Sequence, residues 1–224
     1  FPHRLRPPQP LCRTGDGAVP AVSFCVLHFA PPDQDPAAVC GRFTLRTPAA
    51  SWCQLFLPQM EQPPSEFDDP PRYNIAPSQT IIAVTQPESG QPRALDRFRW
   101  GLVPLWADDA QIGNRMINAR GESVDRKPAF RAAFRKRRCL VPADGYYEWK
   151  KVKSGKQPYL IERHDGGMLA IAGLWEENRK ASESGEVLRT CTLITTDANA
   201  STRPIHDRMP VLVSPEGHDR WLDP

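Results

Sequence analysis

No stretch of the 224-residue sequence stays apolar for the ~18 residues that span a bilayer, which excludes a transmembrane helix. None of its six cysteines (Cys12, Cys25, Cys40, Cys53, Cys139, Cys191) belongs to a CxxC pair, so zinc-finger and thioredoxin-like sites are excluded as well. There is no GxGxxG, no phosphate-binding glycine loop and no metal-ligand spacing, so no cofactor and no metal are expected. No internal repeat is visible. No methionine precedes Met60, and the first residue is Phe. Scattered single cysteines fit a reducing compartment, where most are small core residues. A cytoplasmic location is therefore expected, nucleoid-associated if the source is bacterial.

What is present is ordinary for a folded chain: 40% hydrophobic, 25% charged, formal net charge +3. The length suits one domain, or one domain and a tail. Proline is in excess, at 25 residues, and eight of these lie in the first 38. Residues 1–38 are rich in Pro and Arg and poor in pattern, which reads as a disordered leader or as translated upstream sequence. The apolar stretch 18–30 follows Arg4, Arg6 and Arg13 as a secretory signal would, but Pro20 and His28 interrupt it. Organised sequence starts at Val39-Cys40-Gly41-Arg42. A GUG start codon read literally gives valine, so Val39 is expected to be the initiator, and its removal leaves Cys40 first. Cleavage of a propeptide after Val39 leads to the same terminus.

Thr47-Pro48 followed by Ala49, Trp52 and Phe56 predicts a capped helix with one apolar face. Residues 58–79 read as a proline-rich loop, and 128–138 as a helix burying Phe130 and Phe134. Strands are predicted at 81–84, 97–100, 139–141, 146–149, 159–162, 168–174, 188–196 and 210–213, joined by Gly-containing turns. Many strands with short turns and few helices predict an antiparallel-rich α+β domain.

Residues 115–138 hold nine Lys/Arg against Glu122 and Asp125, a local charge of +7. Such a surface would neutralise a line of phosphates, although a solvated helix face accounts for the charge alone equally well. Among nearby aromatics the prolines and tryptophans of 100–106 are the best placed to stack on bases.

Four short stretches bring chemistry together: Cys40-Gly41-Arg42, Asn118-Ala119-Arg120, the run from Pro142 to Trp149, and His206-Asp207-Arg208. They supply a thiol, an amide, a carboxylate (Glu148) and an imidazole. Each alone is weak, and a cysteine-hydrolase reading also uses Cys, His and a side-chain amide.

The blocks CGRFTLR (40–46), RYNIAPSQ (72–79), RWGLVPLW (99–106), INARGES (117–123), PAFRAAFRKRRCLVPADGYYEWK (128–150), AGLWE (172–176) and HDRMPVLV (206–213) resemble, in order, the SOS response-associated peptidase (SRAP) family of abasic-site processing proteins. The resemblance covers residues 40–224. It implies a domain over 39–224, shortened at its C-terminus, with a barrel-like β core and a few peripheral helices. In the family the cysteine follows the initiator methionine, so the extension before Cys40 is a departure. The implied activity is capture of abasic sites in single-stranded DNA, during the DNA damage response, by a monomer without membrane partners. The N-terminal Cys40, a 1,2-aminothiol, would close a thiazolidine on the sugar aldehyde. Asn118, Glu148 and His206 would complete the catalytic set. Arg42, Arg120 and Arg208 would hold phosphates, and Pro77, Trp100 and Pro104 would wedge or stack against bases. Hydrolase, protease and lyase activities fall within what the resemblance implies. Two other readings stand beside it: a thiol autopeptidase cutting its own Val39–Cys40 bond, and a reversible single-stranded DNA binder built on the basic segment.

Overall fold

The structure, a computed structural model, describes residues 22–26, 41–182 and 185–224. Its strands are β1 (Val22–Val26), β2 (Arg42–Leu45), β3 (Arg72–Ile75), β4 (Thr80–Thr85), β5 (Ala94–Trp100), β6 (Asn118–Arg120), β7 (Arg138–Ala143), β8 (Gly145–Val152), β9 (Gly155–Arg163), β10 (Leu169–Asn178), β11 (Leu188–Asp197) and β12 (Arg208–Pro210). Three short helices accompany them: α1 (Ala49–Phe56), α2 (Arg131–Lys136) and α3 (His218–Leu222).

The pairings β10–β7, β7–β4, β4–β5, β5–β11 and β11–β10 close a five-strand barrel. Strands β6 and β12 extend it through β11, and β6–β11 and β5–β11 are its parallel contacts. Closure removes the free edges that an open sheet would expose. The second sheet runs β1-β9-β8-β2-β3. One apolar core joins the two, with Phe43, Tyr146 and Ile161 from the second sheet packed with Val84, Leu140 and Ile171 of the barrel. The architecture is thus α+β, sheet-dominant and barrel-like, as the sequence and the resemblance predict.

The helix expected after Thr47 begins at Ala49 and buries Ala49, Trp52, Cys53 and Phe56, an i, i+3, i+4, i+7 stripe. Thr47 does not cap it; its hydroxyl bonds the Asp144 carboxylate instead. The helix expected over 128–138 is regular only at 131–136, because its basic end passes directly into β7. Within the predicted loop 58–79 lies β3, whose alternation is masked by its exposed Tyr73 and Asn74. The strand expected at 210–213 is displaced to 208–210, with a single bridge from Leu212 to Ile171.

Within the stretch read as a disordered leader, Val22–Val26 form β1, antiparallel to β9 with Val22 opposite Arg163 and Val26 opposite Tyr159. The rest of that stretch, Val39 and Cys40 lie outside the described residues. Among the described residues no helix is long and apolar enough to cross a membrane.

Candidate functional site

β2 runs antiparallel to β8, with Arg42 opposite Tyr147 and Phe43 opposite Tyr146. Continuing that register by one residue sets Gly41 opposite Glu148. The Glu148 side chain is buried, at 2% exposure. A carboxyl group therefore sits across from the residue that follows Cys40 in the chain.

Asn118 reaches the same region through the frame built on Trp100. The Trp100 indole packs against Phe43 (centroids 5.4 Å apart) and donates its N–H to the Ile117 carbonyl at 2.8 Å. It thereby ties β2, just after Gly41, to Ile117, the residue before β6 and Asn118. Trp100 is fully buried, so no ring face is left for a base. The expectation that it stacks is corrected: a period-2 strand places this ring inward, where its size fills the core.

The loop that follows is held tightly. Gly101 has φ +132°, and a Cβ there would stand 2.7 Å from the Gly113 carbonyl oxygen, so two backbones cross where a side chain cannot fit. The Asn178 amide, itself buried, donates to the carbonyls of Pro104 (2.6 Å) and Ala107 (2.9 Å). Val103 N–H donates to the Thr190 hydroxyl at 2.9 Å. Pro104 is buried beneath this clamp, so its expected contact with bases is also corrected. Between the two clamped carbonyls, Leu105 (48%) and Trp106 (53%) project into solvent. An exposed aromatic on a fixed loop is the group free to stack. Sequence reasoning ranked Trp106 no higher than Trp100, and the Asn178 clamp gave no signal in the sequence.

Pro77 lies on the same rim and is partly exposed. Its neighbour Ser78, at φ 69°, donates its N–H to the Trp100 carbonyl at 2.8 Å. The rim is cationic. Arg42 is buried and donates to the neutral Asn74 amide oxygen at 2.8 Å; among the described residues its Nε meets no acceptor. Burial lowers the pKa of Arg42, since taking a charge out of water costs free energy, and among the described residues no carboxylate forms an ion pair with it. Arg99 repeats the arrangement, donating to Asn114 Oδ1 at 3.2 Å, with a buried Nη1 that meets no acceptor among the described residues. Neither Asn74 nor Arg99 was singled out from the sequence. Arg120, at the end of β6, is exposed.

Strand β11 links this rim to His206. Thr195 of β11 stands opposite Arg120 on one side and Pro210 on the other. Its carbonyl accepts from Gly121 N–H and from Arg208 Nη2, both at 2.8 Å. Arg208 also grips Glu122 with both Nη atoms (2.7 and 3.0 Å) and Asp197 with Nη1 (2.7 Å). Its Nε is buried. No donor of the fork is left for a phosphate, which corrects the clamp expected for Arg208. The residue is instead a strut holding β12 to β11 and to the turn after β6. Arg208 in turn holds Glu122 below the ordinary carboxylate range.

The strut has a consequence for His206. The Arg208 main-chain N–H points at His206 Nδ1, 3.0 Å away. Asp207 Oδ1 is also 2.9 Å from Nδ1, on a side chain that is 87% exposed. A main-chain amide can only donate, whereas the exposed carboxylate is free to swing away. Nδ1 of the neutral ring therefore carries the lone pair and Nε2 carries the proton.

The remaining described cysteines are inert by position. Cys53, Cys139 and Cys191 are buried, and burial pushes all three thiols up. Among the described residues no group of His, Cys, Asp and Glu is arranged to hold a metal.

Several proteins are similar to this chain in sequence or in fold. An abasic site processing protein of Bacillus subtilis, YoaM, is 42% identical over 187 residues, covering 83% of this chain and 80% of the relative. The abasic site processing protein YedK of Escherichia coli is 30% identical over 186 residues, covering 82% and 79%. A solved structure of a Bacteroides thetaiotaomicron protein superposes with a TM-score of 0.73 at 26% identity, covering 83% and 82%. Residues 39–224, which include every described element except β1, match the family described as SOS response associated peptidase, and the chain belongs to that SRAP family.

Proposed function

We propose that the protein processes abasic sites in single-stranded DNA by forming a thiazolidine crosslink through Cys40 once that residue is N-terminal. The observation that carries the reading is the β2–β8 register, which sets the buried Glu148 opposite the residue next to Cys40. The names of the relatives, abasic site processing proteins, point the same way.

The chemistry needs no cofactor. An abasic deoxyribose is a hemiacetal that opens to an aldehyde. As the C1–O bond of the sugar ring breaks, the C1 hydroxyl proton ends on the ring oxygen, relayed through His206, whose Nε2–H meets that oxygen and which is neutral before and after the step. The Cys40 α-amine adds to the aldehyde carbon, and Glu148 carries protons between the amine and the departing hydroxyl. One water leaves and an imine forms. The Cys40 sulfur then adds to the imine carbon and the nitrogen takes a proton, closing a five-membered ring. Nothing is oxidised or reduced, and one water is the only by-product. An α-amine (pKa about 7.7–8.0) and a thiol (about 8.5) both have reactive fractions near neutral pH. A cysteine within the chain cannot take part in this way, because its nitrogen is an amide. Asn118 orients the sugar, Arg42 and Arg120 take flanking phosphates, and Pro77 and Trp106 support the neighbouring bases.

The test is incubation of the protein beginning at Cys40 with abasic single-stranded DNA. A heat-stable adduct forms with Cys40. With Cys40→Ala only the imine stage survives, so the adduct appears after borohydride trapping and is lost without it. An equal heat-stable adduct from Cys40→Ala overturns the reading. The autopeptidase reading predicts release of residues 1–39 from the purified full chain, with loss of that release in His206→Ala.

A further inference from the structure

The segment 115–138 carries nine cations, and the fold sorts them. Arg137 turns inward to the buried Glu176, at 2.6 Å. Arg138 turns inward to the carbonyls of Trp221 (2.6 Å) and Phe134 (2.7 Å). The others stay outside. Lys127, Arg131, Arg135 and Lys136 are all exposed. None of these four makes an ion pair among the described residues. Arg126 is also exposed; it donates to the Glu122 carbonyl at 2.7 Å and lies 3.5 Å from the carboxylate of its neighbour Asp125.

The opposite face of α2 explains why the cations are held in place. Phe130 and Ala133 are buried among Leu102, Ala119, Leu174 and Ile194, and Phe134 leans on Trp221. The helical turns start at Lys127, whose carbonyl accepts from Arg131 N–H at 2.9 Å. Arg131 and Arg135 are therefore one turn apart on the solvent side, separated by about 6 Å of helix rise. This row begins where the rim ends. β6, with Asn118 and Arg120, passes into it through a turn fastened to β11 by Gly121 and to β12 by the Arg208–Glu122 pair. A row of unpaired cations running on from a cationic rim is a continuous track for a polyanion. A solvated helix face would ordinarily alternate charges of both signs.

We infer that the outer face of α2, through Arg131, Arg135 and Lys136, binds the phosphodiester backbone of the damaged strand beyond the nucleotides held at the rim. The inference rests on the DNA reading above but not on its covalent step. The probe is single-stranded DNA carrying a tetrahydrofuran abasic analogue, which has no aldehyde and cannot crosslink. Its affinity for the full chain is measured against salt concentration on strands of about 6 and about 20 nucleotides, the first within and the second beyond the ~4–16 nucleotides of a single compact site. Each phosphate contact on a single strand contributes about 0.7 to the log–log salt slope. Replacing Arg131, Arg135 and Lys136 by Gln lowers the slope on the long strand by about 2 and leaves the short strand unchanged. Replacing both arginines by Lys keeps the slope, since the charge is kept. An unchanged slope on the long strand, or an equal loss on both strands, overturns the inference. Failure of the aldehyde-bearing DNA to crosslink would leave this result standing and sink only the covalent reading.

Discussion

Trp100 and Trp106 sit in one motif, RWGLVPLW, and do opposite things. Trp100 fills the core between Phe43 and Ile117, whereas Trp106 stands half in solvent on a clamped loop. Trp100→Ala removes a fully buried ring and is predicted to cost about 3–5 kcal/mol, read as a lowered denaturant midpoint. Trp106→Ala is predicted to change stability by less than about 0.5 kcal/mol. The same change weakens single-stranded DNA binding by about 1–3 kcal/mol, the worth of one stacked base. The motif announced that aromatics mattered here. Which ring points out was not legible, because it depends on the Gly101–Gly113 crossing and on Asn178, some seventy residues downstream. The cysteines were legible: three fall on predicted regular elements and all three are buried. In the protein beginning at Cys40, a thiol reagent at neutral pH is therefore predicted to label one site quickly, with Cys53, Cys139 and Cys191 reacting only on unfolding. Fast labelling of any of those three in the native state would contradict the packing described.

At the scale of elements, β12 depends on the strut from Arg208 to Glu122 and Asp197. Glu122 has its pKa lowered by Arg208. A carboxylate whose folded pKa lies below its unfolded one stabilises the fold above the unfolded pKa. That contribution fades as pH falls through the folded value. Glu122 is about half exposed, with 49% of its side chain open, so the pair is worth about 1 kcal/mol or less. Glu122→Gln is predicted to flatten the acid limb of the stability–pH curve slightly and to loosen the loop that carries His206, read as faster amide exchange at Arg208. An unchanged exchange rate would remove the strut from the account. The sequence placed Arg208 in the right neighbourhood and misjudged its task, since an arginine beside a histidine looks the same whether it awaits a phosphate or already holds a carboxylate. The ends of α2 were missed for a related reason: its basic run continues without a break into β7, and the cap that would have marked the boundary is absent.

Over the whole molecule, the sequence made the class visible through short strands and glycine turns, but not the closure of the barrel. Closure depends on β10 pairing both β7 and β11 and on the parallel β5–β11 contact, long-range pairings that leave no local mark. The proposed catalytic set was read from ordered motifs. The elements that carry it are linked in ways no motif shows: β2 pairs β8, Trp100 ties β2 to the residue before β6, and Thr195 of β11 ties β6 to β12. The central claim is that Cys40, as a free terminus, closes a ring on an aldehyde. Its most direct test is the mass and mapping of the adduct between the protein beginning at Cys40 and an abasic single strand. The account predicts the summed masses less one water, with both the amine and the thiol of Cys40 blocked. An adduct mapped to a lysine, or one that leaves the Cys40 thiol free, would contradict it.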